Sequence, residues 1–379
     1  MNFLLSLLLT SVISVSSVVS FLFIAVARYP LHESGEVRMS NTIYRVGILG
    51  AGWVAGEYVK AFRDHPQTEL IGIYNRTPGK ASRLLADHGV QAKEYPTLDA
   101  FFADDRIQIV VSCTHPNVRA EHCVRAAASG RHLVIEKPVG LAYSETAQIR
   151  DAVAKSGVKS VTSFVLRWNP QFITVRQLID DGVLGELIYG EADYWHPARR
   201  ATPGSPGLRK DVVGSAFLSG GCHAVDMLRY LGGEVSEVAA FSASPKRVTA
   251  FEFDPVVVAS LKFDNGAVGK LSALLDGDTP YNFHCRLFGS NGSIQDNQVY
   301  SSRHYPGTLD YWTFPTISPN SGDVTHHPFK AEIAHFIECI DNNVESHASI
   351  YDSIRSMAIC FAIDESAAQG GRSVKVVYD

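Results

Sequence analysis

The stretch Tyr44-Arg45-Val46-Gly47-Ile48-Leu49-Gly50-Ala51-Gly52-Trp53-Val54-Ala55 decides the fold. An apolar strand runs into two closely spaced glycines, and apolar residues then recur at helical spacing: Val54, Tyr58, Ala61 and Phe62. Strand, glycine turn and helix in that order make the G-x-G-x-x-A form of a dinucleotide fingerprint. The glycines permit a tight turn and close approach of a pyrophosphate, which rests on the helix N-terminus. Gly50, Ala51, Gly52, Trp53 and Val54 are therefore expected cofactor contacts.

Working outward, strand-like runs at Leu70–Tyr74, Ile107–Ser112 and Leu133–Ile135 alternate with helical patterns at Ala55–His65, Gly79–His88 and Arg119–Ser129. Short, continuously apolar strands separated by helices predict a parallel sheet covered on both faces, the doubly wound α/β class. A helix at Ser144–Ser156, a strand at Ser160–Leu166 and an amphipathic segment at Asn169–Asp180 follow. From Leu187 the pattern alternates, with strands at Leu187–Trp195, Val235–Ser244, Val256–Phe263, Gly269–Leu275 and Phe283–Phe288. Asp264-Asn265-Gly266 is a hairpin signal, and Gly232-Gly233 is a C-cap for a helix over 223–231. Tyr305–Ser321 reads as a long loop, Phe329–Gln369 as a final helical region and Ser373–Val377 as a closing strand. The expectation is an N-terminal Rossmann domain over 41–160, with a doubly wound parallel sheet. A C-terminal α+β domain over 161–379, with a mostly antiparallel sheet, should follow it.

With 46% hydrophobic and 19% charged residues the chain can bury a sizeable core. A net charge of −5 without a basic stripe argues against a nucleic-acid partner. The 14 histidines are scattered, and the adjacent pair His326-His327 would point to opposite faces of a strand, so no metal site is expected. Cys113, Cys123, Cys222, Cys285, Cys339 and Cys360 occur singly, as thiols of a reduced compartment.

Residues 1–40 form an apolar N-terminal extension, uncharged from Met1 to Ala27. Three readings stay open: an extension or start-site artefact ahead of Met39, a membrane anchor in residues 1–27, or a signal peptide ending near Ala25-Val26-Ala27. Dependence on a nicotinamide cofactor favours the cytoplasm, with a membrane tether only if residues 1–27 are a genuine anchor.

The end of the second strand, Tyr74-Asn75-Arg76-Thr77, lacks the acid that would hold an NAD ribose. Asn75 and Arg76 are assigned to the cofactor site, and Arg76 suits a 2′-phosphate. The cofactor is therefore NAD or NADP, with NADP or dual use favoured. Thr114, His115 and Asn117 follow the third strand run at the carboxyl edge of the sheet, where ligands bind. Glu136-Lys137-Pro138 ends the fourth. Glu136 and Lys137 are expected beside the cofactor, and an amine at that edge can exchange a proton with an alcohol. His223 and Asp226 share a helix face three residues apart, so a carboxylate could orient an imidazole for proton exchange. The approach Ser219-Gly220-Gly221-Cys222 would let a ligand come close to the backbone. Arg167, Trp168 and Trp195 are candidate substrate contacts, in a pocket that Tyr194 and His196 could also line.

In this order these residues resemble the glucose–fructose oxidoreductase, inositol dehydrogenase and rhizopine-catabolism (Gfo/Idh/MocA) family. The resemblance rests on the glycine fingerprint, Thr114-His115-Pro116-Asn117 with His122, Glu136-Lys137-Pro138, Arg167-Trp168-Asn169-Pro170, Gly182-Val183-Leu184-Gly185 and Gly221-Cys222-His223-Ala224-Val225-Asp226. It implies a large open-faced sheet domain that commonly mediates homo-oligomers. Sugar or polyol substrates and proton transfer by Lys137 and His223 are implied as well. Many members carry Asp where this chain has Ser219, which cannot supply a negative charge to the imidazole. The expected activity is hydride transfer between NAD(P) and a secondary alcohol of a sugar, cyclitol or derivative. The alternatives are a glycoside-cleaving enzyme that retains NAD and a non-catalytic dinucleotide-sensing regulator.

Overall fold

The chain alternates strand and helix from its first described residues. β1 is Tyr44–Leu49, α1 Trp53–Asp64, β2 Thr68–Tyr74, α2 Lys80–Asp87, β3 Lys93–Tyr95 and α3 Leu98–Phe102. β4 (Ile109–Ser112), α4 (Pro116–Ala128), β5 (His132–Ile135), α5 (Tyr143–Ser156) and β6 (Ser160–Thr162) complete the series. The computed structural model describes residues 42–198, 201–319 and 327–378. The expected apolar extension, His326 and the last two residues of the expected Tyr305–Ser321 loop lie outside them.

The six strands are ordered β3-β2-β1-β4-β5-β6 and all pair in parallel. The chain reverses direction across the sheet between β1 and β4. There the carboxyl ends of two neighbouring strands open a crevice. Val46, Ile48, Ile109, Val110, Leu133 and Val134 have no exposed surface, which is why these strands read as unbroken apolar runs.

After β6 the chain leaves this sheet through a 3₁₀ turn, Val165–Trp168, and α6 (Pro170–Asp180). The expected strand to Leu166 stops at Thr162 instead. Every residue from Ser160 to Leu166 is buried, polar and apolar alike, so no alternation separates strand from buried turn. β7 (Leu187–Trp195), α7 (Cys222–Gly232), β8 (Val235–Ala243), β9 (Val256–Phe263), β10 (Val268–Leu274) and β11 (Asn282–Gly289) follow. The short strands β12 (Ser293–Gln295), β13 (Gln298–Tyr300) and β14 (Trp312–Thr313) come next. The end of the described chain holds α8 (Phe329–Asp341), α9 (Ile350–Ala368) and β15 (Val374–Lys375). The nine strands run β14-β13-β12-β11-β7-β10-β9-β8-β15, antiparallel except for the parallel pair β7–β10. Burial alternates along β9 and β11, as expected of a sheet packed on one face. α7 lies against β7, and α9 against β8. The expected fold class is the one observed.

The helical region Phe329–Gln369 is two helices, broken where Asn343 takes a positive φ of 53°. α8 returns to the first sheet: Phe329, Ile333, Phe336 and Ile337 join Tyr58 and Phe62 of α1 in one apolar cluster. Each such buried side chain is worth about 1.5–3 kcal/mol. Both sheets belong to a single unit, Thr42–Asp379. No helix among the described residues is long and apolar enough to cross a membrane.

Candidate active site

Gly50 turns with φ 100°, and a Cβ there would meet the Cys113 carbonyl oxygen at 2.7 Å. Only glycine satisfies both constraints. The Ala51 amide donates to Asn75 Oδ1 at 3.1 Å, and Asn75 Nδ2 donates to the Thr77 carbonyl at 3.0 Å. Asn75 thus locks the turn after β1 to the end of β2. Gly52 caps α1 without a side-chain hydrogen bond, and a Cβ there would meet nothing within 4 Å. Trp53 is 60% exposed, and Val54 is half-buried. The N–H groups of the first helical turn therefore face open space of the kind that receives a pyrophosphate. On this observation the residues fit a dinucleotide.

Arg76 is exposed at the end of β2. His115, at the N-cap of α4, is held below the usual imidazole range by partial desolvation of its ring, then by the positive charges of Arg119, Arg76 and Lys80. These side chains form a basic rim and contain no carboxylate. Thr114 accepts from Arg119 Nη2 through its carbonyl at 2.5 Å, while Arg119 Nη1 donates to the Pro138 carbonyl. Arg119 thus ties the loop after β4 to the loop after β5. Sequence reasoning missed it, and an Arg on the buried face of a helix was the available signal. Asn117 is exposed and lines a surface hollow with Glu121, Arg125, Glu145 and Gln148. That lining includes neither Lys137 nor His223.

Glu136 is 6% exposed. It accepts from Tyr58 Oη at 3.1 Å and from the Lys137 amide at 3.1 Å. The Lys137–Pro138 peptide is cis. Lys137, half-buried, sends its Nζ across to the Ser219 carbonyl at 3.2 Å. Ser219 lies in a π-type turn, Phe217–Gly221, which runs directly into α7 and His223.

His223 is 3% exposed. Its ring stacks on Tyr194 (centroids 5.8 Å apart) and meets His327 at 6.1 Å and Phe164 at 6.2 Å. Nδ1 is buried without a hydrogen-bond partner. Burial, then the charges of Lys137, His327 and His196, hold this imidazole well below its ordinary range, so it is neutral at pH 7. Tyr194 Oη hydrogen-bonds His196 Nδ1 at 2.9 Å. Tyr281, which sequence reasoning did not single out, packs on Tyr194 and His196 and buries a hydroxyl without a partner. Lys137, His223 and Tyr281 thus come from three separate segments: the Lys137 charge acts on His223, and His223 and Tyr281 both pack on Tyr194. Two of their buried polar atoms lack the hydrogen bonds that folded proteins normally provide.

Four expectations need correction. Asp226 does not orient His223: its carboxylate accepts from Arg167 Nε at 2.8 Å, Arg167 Nη2 at 2.6 Å and Ser356 Oγ at 2.7 Å. Arg167 does not reach for substrate. Its side chain has no exposed surface, and it also binds Asp352 at 2.5 Å and the His347 carbonyl. Trp168 fills core against His335 and His347, with ring centroids 5.4 and 4.8 Å away. Trp195 sits on the opposite face of β7 from Tyr194, where it donates to Ser272 Oγ at 2.9 Å, since alternate strand residues point to opposite faces. The glycines before Cys222 also have a packing role. A Cβ at Gly220 would strike the Tyr194 ring at 2.3 Å, and one at Gly221 would strike Phe217 and Ala273 at 2.8 and 2.9 Å.

Residues 44–164 match the model of the oxidoreductase family with an NAD-binding Rossmann fold, and residues 172–295 match that of the GFO/IDH/MocA C-terminal domain. The chain belongs to the Gfo/Idh/MocA family. It is an oxidoreductase, and NAD-binding is a property of its family. Inositol 2-dehydrogenase of Rhizobium meliloti is 26% identical over 332 residues, covering 86% of this chain and 97% of the relative. D-xylose 1-dehydrogenase (NADP(+)) 2 of Haloferax volcanii is 23% identical over 327 residues, with 86% and 97% covered. Levoglucosan dehydrogenase in complex with NADH and levoglucosan superimposes with a TM-score of 0.81 at 22% identity, covering 89% of this chain and all of that one. These Gfo/Idh/MocA relatives share both halves of the chain and not only the nucleotide-binding fingerprint.

Proposed function

We propose that this protein transfers hydride between NAD(P) and a secondary alcohol of a sugar, cyclitol or derivative, with Lys137 as the proton carrier. The observation that carries this reading is the Lys137 ammonium. It is anchored on the Ser219 carbonyl at 3.2 Å, at the turn that delivers a buried, neutral His223 with an unpartnered Nδ1. When bound, the nicotinamide supplies the hydride acceptor or donor. The open first turn of α1, Asn75 and Thr114 would hold that cofactor. During oxidation Lys137 takes the hydroxyl proton as the neutral amine, having first released its own proton to solvent, and during reduction its ammonium form returns that proton. His223, being uncharged, acts through a hydrogen bond to the same or a neighbouring hydroxyl. Ser219 stands where many members of the family carry Asp, and among the described residues no carboxylate acts on the imidazole. The test is a panel of cyclitols, pyranoses and anhydrosugars with NAD and NADP, read by absorbance of the reduced cofactor. No turnover on any member would defeat the reading.

Two predictions refine it. Arg76, beside Lys80 and His115, supports NADP or dual use. Arg76→Ala should raise the KM for NADPH about 10- to 100-fold, the worth of one charge-assisted hydrogen bond, and leave that for NADH within about twofold. An NADH preference unaltered by the substitution would reject the assignment. Tyr281→Phe should lower kcat/KM roughly tenfold, as loss of one neutral hydrogen bond does. The loss should vanish for a deoxy analogue lacking the hydroxyl that Tyr281 meets.

A further inference from the structure

Behind Lys137 lies a second carboxyl group that neither the fingerprint nor the proton transfer uses. Glu332, on α8, has no exposed surface, and neither of its oxygens has a hydrogen-bond partner of normal geometry. The Ser163 hydroxyl is the polar group beside it, and Ser163 in turn meets Tyr58 Oη. Tyr58 spends its single proton on Glu136 Oε1 at 3.1 Å. Counting donors then sets the direction of the whole row. Since the phenol proton goes to Glu136, Ser163 must donate to Tyr58, and the Ser163 oxygen is left as an acceptor. A proton on Glu332, the polar side chain beside Ser163, fills that place.

We propose that Glu332 is a positioning residue that stays a neutral carboxylic acid. It donates to Ser163 and so orders the row Glu332–Ser163–Tyr58–Glu136, which holds the Glu136–Lys137 peptide in place. Two buried carboxylates this close do not both ionise. Burial raises Glu136 as well, but the positive charges of Lys137 and Arg119 and the hydrogen bonds from Tyr58 and the Lys137 amide oppose it, so Glu136 is the member that carries the charge. Glu332 faces Glu136 without a cation among the groups that act on it. Cys113, whose thiol burial also holds neutral, is the remaining titratable neighbour of the cluster. Burial first, and then Glu136, raise Glu332 well above the usual carboxylate range. The row joins α8, the exit from β6, α1 and the loop after β5, so α8 supports the catalytic loop through hydrogen bonds as well as packing. The inference concerns how the lysine loop is held and stands whichever alcohol is the substrate.

A glutamate kept neutral by the fold binds a proton that the unfolded chain releases near pH ~4.3. Its stabilising contribution is therefore full below that pH and is lost as pH rises toward its folded value. Glu332→Gln keeps a neutral donor and removes this dependence. The melting temperature of Glu332→Gln minus that of the wild type should thus increase by about 3 °C or more between about pH 5 and about pH 8. A difference that stays flat across that range would overturn the proposal. A neutron structure of the wild-type protein near neutral pH gives an answer that does not depend on the variant folding. A deuteron on a Glu332 oxygen, directed at Ser163, is the expected result. A bare Glu332, or a deuteron on Glu136 in its stead, would refute the assignment.

Discussion

Replacing Lys137 by methionine should cut kcat about 100- to 10,000-fold, the range that loss of a positioned general acid–base group produces. Affinity for the reduced cofactor should change by less than about threefold. The contrast follows from what each atom of Lys137 touches. Its amide binds the Glu136 carboxylate at 3.1 Å, and this contact survives in methionine. Its Nζ reaches the Ser219 carbonyl at 3.2 Å, and this contact does not. The turn proposed to hold the cofactor is built elsewhere, from Gly50, Ala51, Gly52 and Asn75. Methionine fills most of the stem's volume, so packing is nearly kept while proton exchange is lost. Steady-state kinetics on whichever panel sugar the wild type accepts, beside a fluorescence titration with NADH, reads both quantities. Wild-type kcat in the variant would remove Lys137 from the chemistry. Loss of cofactor binding would make it a ligand of the dinucleotide instead.

Much of this was legible in the sequence, and the parts that were not share a cause. The β1–turn–α1 unit was readable because its constraint is local: φ at Gly50 and the carbonyl beside it admit one residue type. The amine and the imidazole were readable because each sits at a marked strand end or glycine-rich turn. The role of Asp226 was not readable. Three-residue spacing places it on the His223 side of α7 but cannot say that Arg167, 59 residues earlier, claims its carboxylate. Trp195 and Tyr194 show the same limit on a strand. Alternation puts them on opposite faces, and nothing local says which face closes the site. β3 and α3 were missed because three and five residues are too short to carry a period. Glu332 looked like an ordinary helix glutamate, since its burial depends on α8 folding back across the chain onto α1.

Arg167→Met should destabilise the protein by about 3–5 kcal/mol, the cost of leaving one member of a buried ion pair alone. Asp226, 1% exposed, would keep only Ser356 as a donor. Asp352 would suffer less, because Arg229 also binds it at 2.5 Å. Urea unfolding monitored by tryptophan fluorescence measures the loss. A double variant, Arg167→Met with Asp226→Leu, should recover part of it, since removing both charges eliminates the stranded carboxylate. If Arg167 instead held a substrate, the single variant would unfold like the wild type and show only a raised KM. The pairing also revises how Asp226 serves His223. The two share α7, and the bidentate bond to Arg167, together with the Ser356 contact, pins that helix to the turn after β6 and to α9. The carboxylate thus sets the position of the imidazole through the helix backbone and leaves its protonation to burial and to Lys137. Asp226→Asn, which keeps one acceptor for Arg167, should therefore displace His223 less than Arg167→Met does.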